Sequence, residues 1–314
     1  MKYLNTVFLI IILLLLIFSK IFYNNAYFSV NNKTKELNVI FAGTCKNIEK
    51  YIEKMLRHID KCGNKFKNYK LIIYENDSTD STRNLLIKNK KDNYIYLFED
   101  NIKEPLRTKR LADGRNKILD KVREITKNND YQYLIMIDLD DINASGTFVN
   151  TIKTNFMYNK WDVMTSCQRN SYYDIWALRL KKLIYFDIWK QRELSNDKKK
   201  YDILFKSVTG KNISKNVFKN NFSRELIEVD SAFCGIALYK LSSIPLKCKY
   251  NGLHKNGMEK CEHVDFNRCI KNNGGKIYIN PKFYTDGRLK TPIFIGILYG
   301  LCLYILLQLV YLIR

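Results

Sequence analysis

The eight cysteines of this 314-residue chain include no Cys-x-x-Cys pair, so the spacing of a zinc site is missing. The cysteines follow no regular framework, and this leaves both a disulfide or two and free thiols open. No internal repeat is present, and no small-residue Ala-x-Ala cleavage pattern follows the apolar N-terminal run. Acidic residues are scarce, 31 against 53 Lys plus Arg, for a formal net charge of +22. Such an excess attracts anions in general: nucleic acid, anionic lipid or phosphorylated substrates. Most of it is lysine spread through segments such as 88–91 and 198–200. The alternation of basic and aromatic residues that makes a stacking platform is absent, so no nucleic-acid partner is expected. A solvated face that also holds the surface on anionic lipid fits better.

Charge is also missing from both ends. Leu4–Tyr23 holds an unbroken apolar run from Val7 to Phe18 with only Lys2 and Lys20 as charged flanks, and Pro292–Ile313 carries no charge at all. These lengths predict an uncleaved N-terminal anchor (4–23) and a second transmembrane helix (292–313), joined through a linker (24–36) to a domain over 37–286. The expected location is therefore a membrane, crossed twice, with both termini on one side. Lys20, Lys33, Lys35, Lys282, Arg288 and Lys290 flank the middle, which by the positive-inside rule places it in the cytoplasm, although domains of this length translocate largely regardless of charge. Five Asn-x-Ser/Thr sequons (Asn32, Asn76, Asn143, Asn212, Asn221) do not decide the side.

Within the domain, strand-length apolar runs alternate with segments of helical period, the pattern of an α/β sheet. Strands are expected at Leu37–Ala42, Tyr69–Tyr74, Tyr94–Phe98 and Tyr133–Ile137. Helices are expected at Asn47–Ile59, from Asp80 or Ser81 through Lys88, and at Arg107–Ile125. Beyond these, Phe148–Tyr158 reads as a helix and Trp161–Thr165 as a strand. Residues 181–224 read as a variable insertion. Order returns at Val229–Tyr239, followed by a helix near Cys261–Lys271 and a strand at Lys276–Ile279.

The chemistry centres on Asp138-Leu139-Asp140-Asp141, which ends the buried run Tyr133–Ile137. Open α/β sheets place ligands at the carboxyl ends of their strands. Carboxylates crowded there repel one another unless a divalent cation lies between them, which points to metal-assisted handling of a diphosphate. Glu75 and Asp77, after the second strand, are placed to accept hydrogen bonds from a base or ribose, or to serve with Asn76, Ser78 and Asp80 as turn and cap residues. Arg107, Arg110, Arg115 and Asn116 lie near the start of a long helix, where arginines oppose the dipole unless an anion sits there. His263 is a further candidate ligand or a packed structural residue, and Glu262 and Asp265 are candidate bases or acceptor anchors. Tyr173, Asp174 and Trp176 offer aromatic faces and a carboxylate to an acceptor sugar, with core packing as the competing reading.

Six motifs then fall in order: Tyr74-Glu75-Asn76-Asp77-Ser78; Arg110-Leu111-Ala112-x-x-Arg115-Asn116; Asp138-x-Asp140; Trp161-Asp162-Val163; Tyr173-Asp174-Ile175-Trp176-Ala177-Leu178-Arg179; and Cys261-Glu262-His263-Val264-Asp265-Phe266. A further match is Val229–Tyr239. In these the chain resembles the fungal (cryptococcal) capsule-associated mannosyltransferases and, more distantly, the yeast mannan polymerase subunits. The resemblance covers about residues 37–286, excluding most of 181–224; the second membrane span is not part of the family pattern. It implies a Rossmann-like α/β GT-A nucleotide-sugar transferase domain using Mn²⁺ or Mg²⁺. On that reading Asp138 and Asp140 engage the metal or the donor's ribose and diphosphate. Arg110, Arg115 and Asn116 hold the donor, and Glu75 and Asp77 lie near the nucleoside. The implied function is transfer of a hexosyl unit, with mannosyl a candidate, from a nucleotide sugar to a glycan or glycolipid. Related transferases are candidate partners in a complex. A nucleotidyl or phosphoryl transferase and a non-catalytic glycan-binding or scaffold subunit are the alternatives.

Overall fold

The computed structural model describes residues 32–168, 172–180, 186–197 and 225–285 and a few single positions. The expected spans at 4–23 and 292–313 and most of the 181–224 insertion lie outside the described residues. Among the described residues no helix is long and apolar enough to cross a membrane.

Eight strands form one sheet in the order β3-β2-β1-β4-β7-β5-β8-β6. The strands are β1 (Asn38–Cys45), β2 (Asn68–Asn76), β3 (Tyr94–Glu99), β4 (Tyr133–Ile137), β5 (Val163–Cys167), β6 (Ile227–Glu228), β7 (Ile236–Lys240) and β8 (Ile277–Tyr284). β1 to β4 are mutually parallel, while β7 runs antiparallel to both β4 and β5. From β1 the chain moves outward to β2 and β3, then returns past β1 to β4. The connections therefore leave the β1/β4 pair in opposite directions and open a crevice at its carboxyl end, the position where such folds bind ligands.

The alternation of side chains along each strand explains the layering. Ile40, Ala42, Leu134 and Met136 face α3 (Arg107–Thr126), which buries Ala112, Ile118, Leu119 and Val122 against them. Val39, Phe41, Ile135 and Ile137 face the opposite way onto α1 (Glu49–Gly63), whose Ile52, Met55, Leu56 and Ile59 recur at helical spacing. At Gly43 the two central strands come so close that a Cβ would collide with the Ile137 carbonyl and lie 2.9 Å from Leu139.

Several expectations shift. β1 and β2 continue past Ala42 and Tyr74, because Thr44 pairs with Tyr74 and Cys45 with Glu75. Residues expected in loops are therefore strand ends at the rim of the crevice. The expected helix at Phe148–Tyr158 is one α-turn, α4 (Phe148–Thr151), followed by a 3₁₀ segment, Ile152–Met157. Side chains there compete for the backbone: Thr154 Oγ1 donates to the Thr151 carbonyl at 2.7 Å and Asn155 Nδ2 to the Ile152 carbonyl at 2.8 Å. β8 runs through Pro281 to Tyr284, and its pairing with β5 changes register between Thr165 and Cys167. The remaining helices are α2 (Thr82–Lys88), α5 (Ile188–Glu193) and α6 (Glu262–Asn272).

Candidate active site

The crevice is a cavity of about 510 Å³. Thr44, Lys46, Asn76 and Arg107 form one wall, Asp138 and Asp140 lie on its lining, and Tyr173, Trp176, Glu262 and His263 contribute the side built after β5.

Asp138 follows β4 and is fixed by its backbone. Its N–H donates to the Gly235 carbonyl at 2.8 Å, and the fully buried Asn143 side chain donates to the carbonyls of Asp138 and Gly235, both at 2.8 Å. This locks the acidic turn to the start of β7, and it leaves the Asn143 sequon no room for a glycan. Cys234 and Gly235 hold φ of +58° and +86° at that junction. The left-handed conformation is unfavourable for Cys234, but the Asp174 carboxylate accepts from its N–H at 2.9 Å. A second Asp174 bond, from the Ala177 N–H at 3.4 Å, commits this expected acceptor residue to the backbone.

Arg115 is 4% exposed and joins two cavity carboxylates, pairing with Glu262 and reaching Asp138 at 3.1 Å. Burial pushes the Asp138 carboxyl up to about 8 against the pull of Arg115, with Asp140 adding to the rise. Asp140 keeps solvent contact, yet the protein around it raises its carboxyl too, chiefly by desolvation. His263 is buried, stacked on Phe233 with centroids 3.8 Å apart. Burial, and then Arg115, holds its pKa well below the usual histidine range, so the ring is neutral; neither nitrogen has a hydrogen-bond partner.

A cation that takes two carboxylates and completes its shell with phosphate oxygens and water fits Asp138 and Asp140. Both carboxylates stand where burial disfavours their charge, which a bound cation offsets. Among the described residues no three His, Cys, Asp or Glu side chains gather as a metal cluster, so the structure does not bring His263 together with Asp138 and Asp140 as ligands of one ion.

Other expected site residues are committed to protein partners. Glu75 is fully buried, accepting from the Ser78 N–H at 2.9 Å and pairing with Arg83. Asp77 accepts from the N–H groups of Asn101 and Ile102 at 2.7 and 3.1 Å. The rest of that loop supplies the N-terminus of α1, with Thr82 accepting from Ile48 at 2.7 Å and Asp80 from Glu49 at 3.1 Å. Tyr74 and Asn76 are the residues of this motif on the cavity lining. Arg110 lines the cavity while donating to the carbonyls of Glu104 and Pro105 at 2.7 and 2.8 Å. Asn116 lies off the cavity and clamps the backbone of Tyr250, donating at 3.0 Å and accepting at 2.8 Å. Asp265 also lies off it, bound to Lys260 and to Asn251 at 3.1 Å. A disulfide, Cys248–Cys269, ties the loop before α6 to that helix.

Thr44, Lys46, Phe233 and Trp189 line the cavity without having been singled out in the sequence. Thr44 lies in the last paired positions of β1 and Lys46 directly after that strand, in a segment whose sequence reads as a polar loop. Trp189 lies within 181–224, where no periodicity guides the reading.

No family model matches the chain, and no curated protein matches it in sequence. Among solved structures it is similar to residues 1–349 of TarS from S. aureus (13% identity, TM-score 0.41, covering 79% of this chain and 59% of that one). It is also similar to the mannosyltransferase PcManGT from Pyrobaculum calidifontis in complex with GDP-Man and Mn²⁺ (10% identity, TM-score 0.46, 82% and 59%). A third is glucosyl-3-phosphoglycerate synthase from Mycobacterium tuberculosis in complex with Mn²⁺, UDP and phosphoglyceric acid (11% identity, TM-score 0.42, 80% and 70%). The chain thus spans 59% of the length of the first two.

Proposed function

We propose that this chain is a glycosyltransferase that binds a nucleotide sugar in the β1/β4 crevice and transfers its hexosyl unit to a glycan or glycolipid. The observation that carries the reading is the Asp138/Asp140 pair at the switch point of the sheet, in one cavity with Lys46 and Arg107. Asp138 and Asp140 are the residues to hold Mn²⁺ or Mg²⁺, which when bound supplies charge neutralisation to the departing diphosphate. Lys46, Arg107 and Arg110 place cationic groups where phosphate oxygens enter. Glu262, on the opposite side and held by Arg115, is the candidate to take the proton of an acceptor hydroxyl, because Asp265 does not reach the cavity. The motif order shared with capsule-associated mannosyltransferases makes mannosyl the first donor sugar to test. Release of nucleoside diphosphate from a nucleotide sugar by the full chain, lost on chelation, is the test.

The segments 4–23 and 292–313 are proposed to anchor the domain at a membrane. The Cys248–Cys269 disulfide supports an oxidising, lumenal or extracytoplasmic side for the domain, since such bonds are rare where glutathione keeps thiols reduced. Denatured, unreduced protein from its native membrane is expected to protect Cys248 and Cys269 from maleimide labelling, with both reacting after reduction. Labelling of either before reduction rules out the disulfide and with it this support for an extracytoplasmic domain.

A further inference from the structure

We propose that Trp176 and Trp189 form a platform on which a sugar ring of the acceptor stacks, which makes Trp189 a specificity-determining residue; this deepens the transferase reading and rests on it. The chain has three tryptophans. Trp161 is a core residue, 2% exposed, with its indole N–H donating to the Tyr158 carbonyl at 2.9 Å. The other two are half-buried and line the cavity, their rings 5.0 Å apart and inclined at 60°. Two partly exposed indoles on the same cavity lining as Asp138, Asp140 and Glu262 are an apolar surface in a charged crevice. Covering it is favourable for any ligand with an apolar face and a polar rim. A pyranose has both, presenting C–H groups on one face and hydroxyls at its edge.

The arrangement is held from behind by one buried cation. Arg179, 1% exposed, donates to the Trp176 carbonyl at 2.9 Å and lies 3.6 Å from the Asp187 carboxylate. Asp187 in turn caps α5, accepting from the Lys190 N–H at 3.1 Å, and its other oxygen lies 3.0 Å from His254 Nε2. The backbone carrying Trp176 and the helix carrying Trp189 are therefore tied to the same guanidinium, which holds the two segments that bear the rings together. The cationic wall of Lys46 and Arg107 belongs to the β1 and α3 side, and the tryptophans to segments after β5. That division assigns the indoles to the acceptor and the basic wall to the nucleotide.

The test is equilibrium binding to the full chain in detergent, using as probes methyl α-mannopyranoside, methyl α-glucopyranoside, methyl β-galactopyranoside and their disaccharides, with UDP and GDP measured separately. Saturation-transfer NMR and tryptophan fluorescence read the glycosides. The parent is expected to bind at least one glycoside, Trp189→Ala to weaken it by about tenfold or more, and Trp189→Phe to retain most of the affinity. Trp189→Phe also controls for folding, and in both variants the nucleoside diphosphates are expected to bind within about twofold of the parent. No glycoside bound by the parent, or equal glycoside affinity in parent and Trp189→Ala, overturns the platform. So does a loss that falls on UDP or GDP, which gives the indoles to the base. Glycoside binding that depends on Trp189, with neither nucleotide bound in the presence of Mn²⁺, keeps the platform and refutes the transferase reading.

Discussion

Replacing both Asp138 and Asp140 with asparagine is expected to lower nucleotide-sugar turnover by at least about three orders of magnitude, roughly 4 kcal/mol of transition-state stabilisation, while the protein stays folded. The loss is large because these are the two carboxylates that the sheet delivers to the crevice, Asp138 directly after β4 and Asp140 two residues on. Folding survives because burial already disfavours the charge on both, Asp138 most of all. Arg115 keeps Glu262 as a partner when the Asp138 carboxylate is gone. Circular dichroism and thermal unfolding check the fold, and nucleoside diphosphate release checks the chemistry. A folded double variant that retains a tenth or more of parental turnover contradicts the assignment of this pair.

Arg115→Met is expected to act first on stability. The guanidinium is 4% exposed and lies between Glu262 and Asp138. Removing it leaves two carboxylates facing each other at the floor of the cavity, and loss of one partner of a buried ion pair typically costs about 3–5 kcal/mol. Glu262→Gln in the same chain removes the stranded charge, so the double variant is expected to recover a substantial part of that loss. Urea unfolding of parent, single and double variants reads this coupling. A guanidinium whose main work was to grip the donor phosphates would show the opposite pattern: parental stability with a raised donor KM.

Much of this architecture is legible in the sequence where one physical signal dominates. Tyr133–Ile137 is continuously apolar and ends in acids, so both β4 and the position of Asp138 can be read from it. The α3 stripe of Ile118, Leu119 and Val122 is legible for the same reason. The partners of polar side chains are not, because a residue type states what it can bond and not what it meets. Glu75 and Asp77 have the chemistry of a ribose ligand, but the 78–83 and 99–102 segments fold back and take their oxygens. Asn116 and Asp265 likewise meet Tyr250 and Lys260 through contacts set by the loop before α6. Trp189 is not legible for another reason: its stretch has no hydrophobic period, and its return to the cavity is set by tertiary contacts, the Arg179–Asp187 pair and the ring contact with Trp176.

The central claim is tested most directly by incubating the full-length, detergent-solubilised protein with a panel of nucleotide sugars, GDP-mannose first, in the presence of Mn²⁺, Mg²⁺ or a chelator. The account predicts nucleoside diphosphate release from at least one donor, supported by the metal and abolished by the chelator. Folded protein that turns over no donor, with or without glycan acceptors, contradicts it and leaves a non-catalytic glycan-binding subunit in its place.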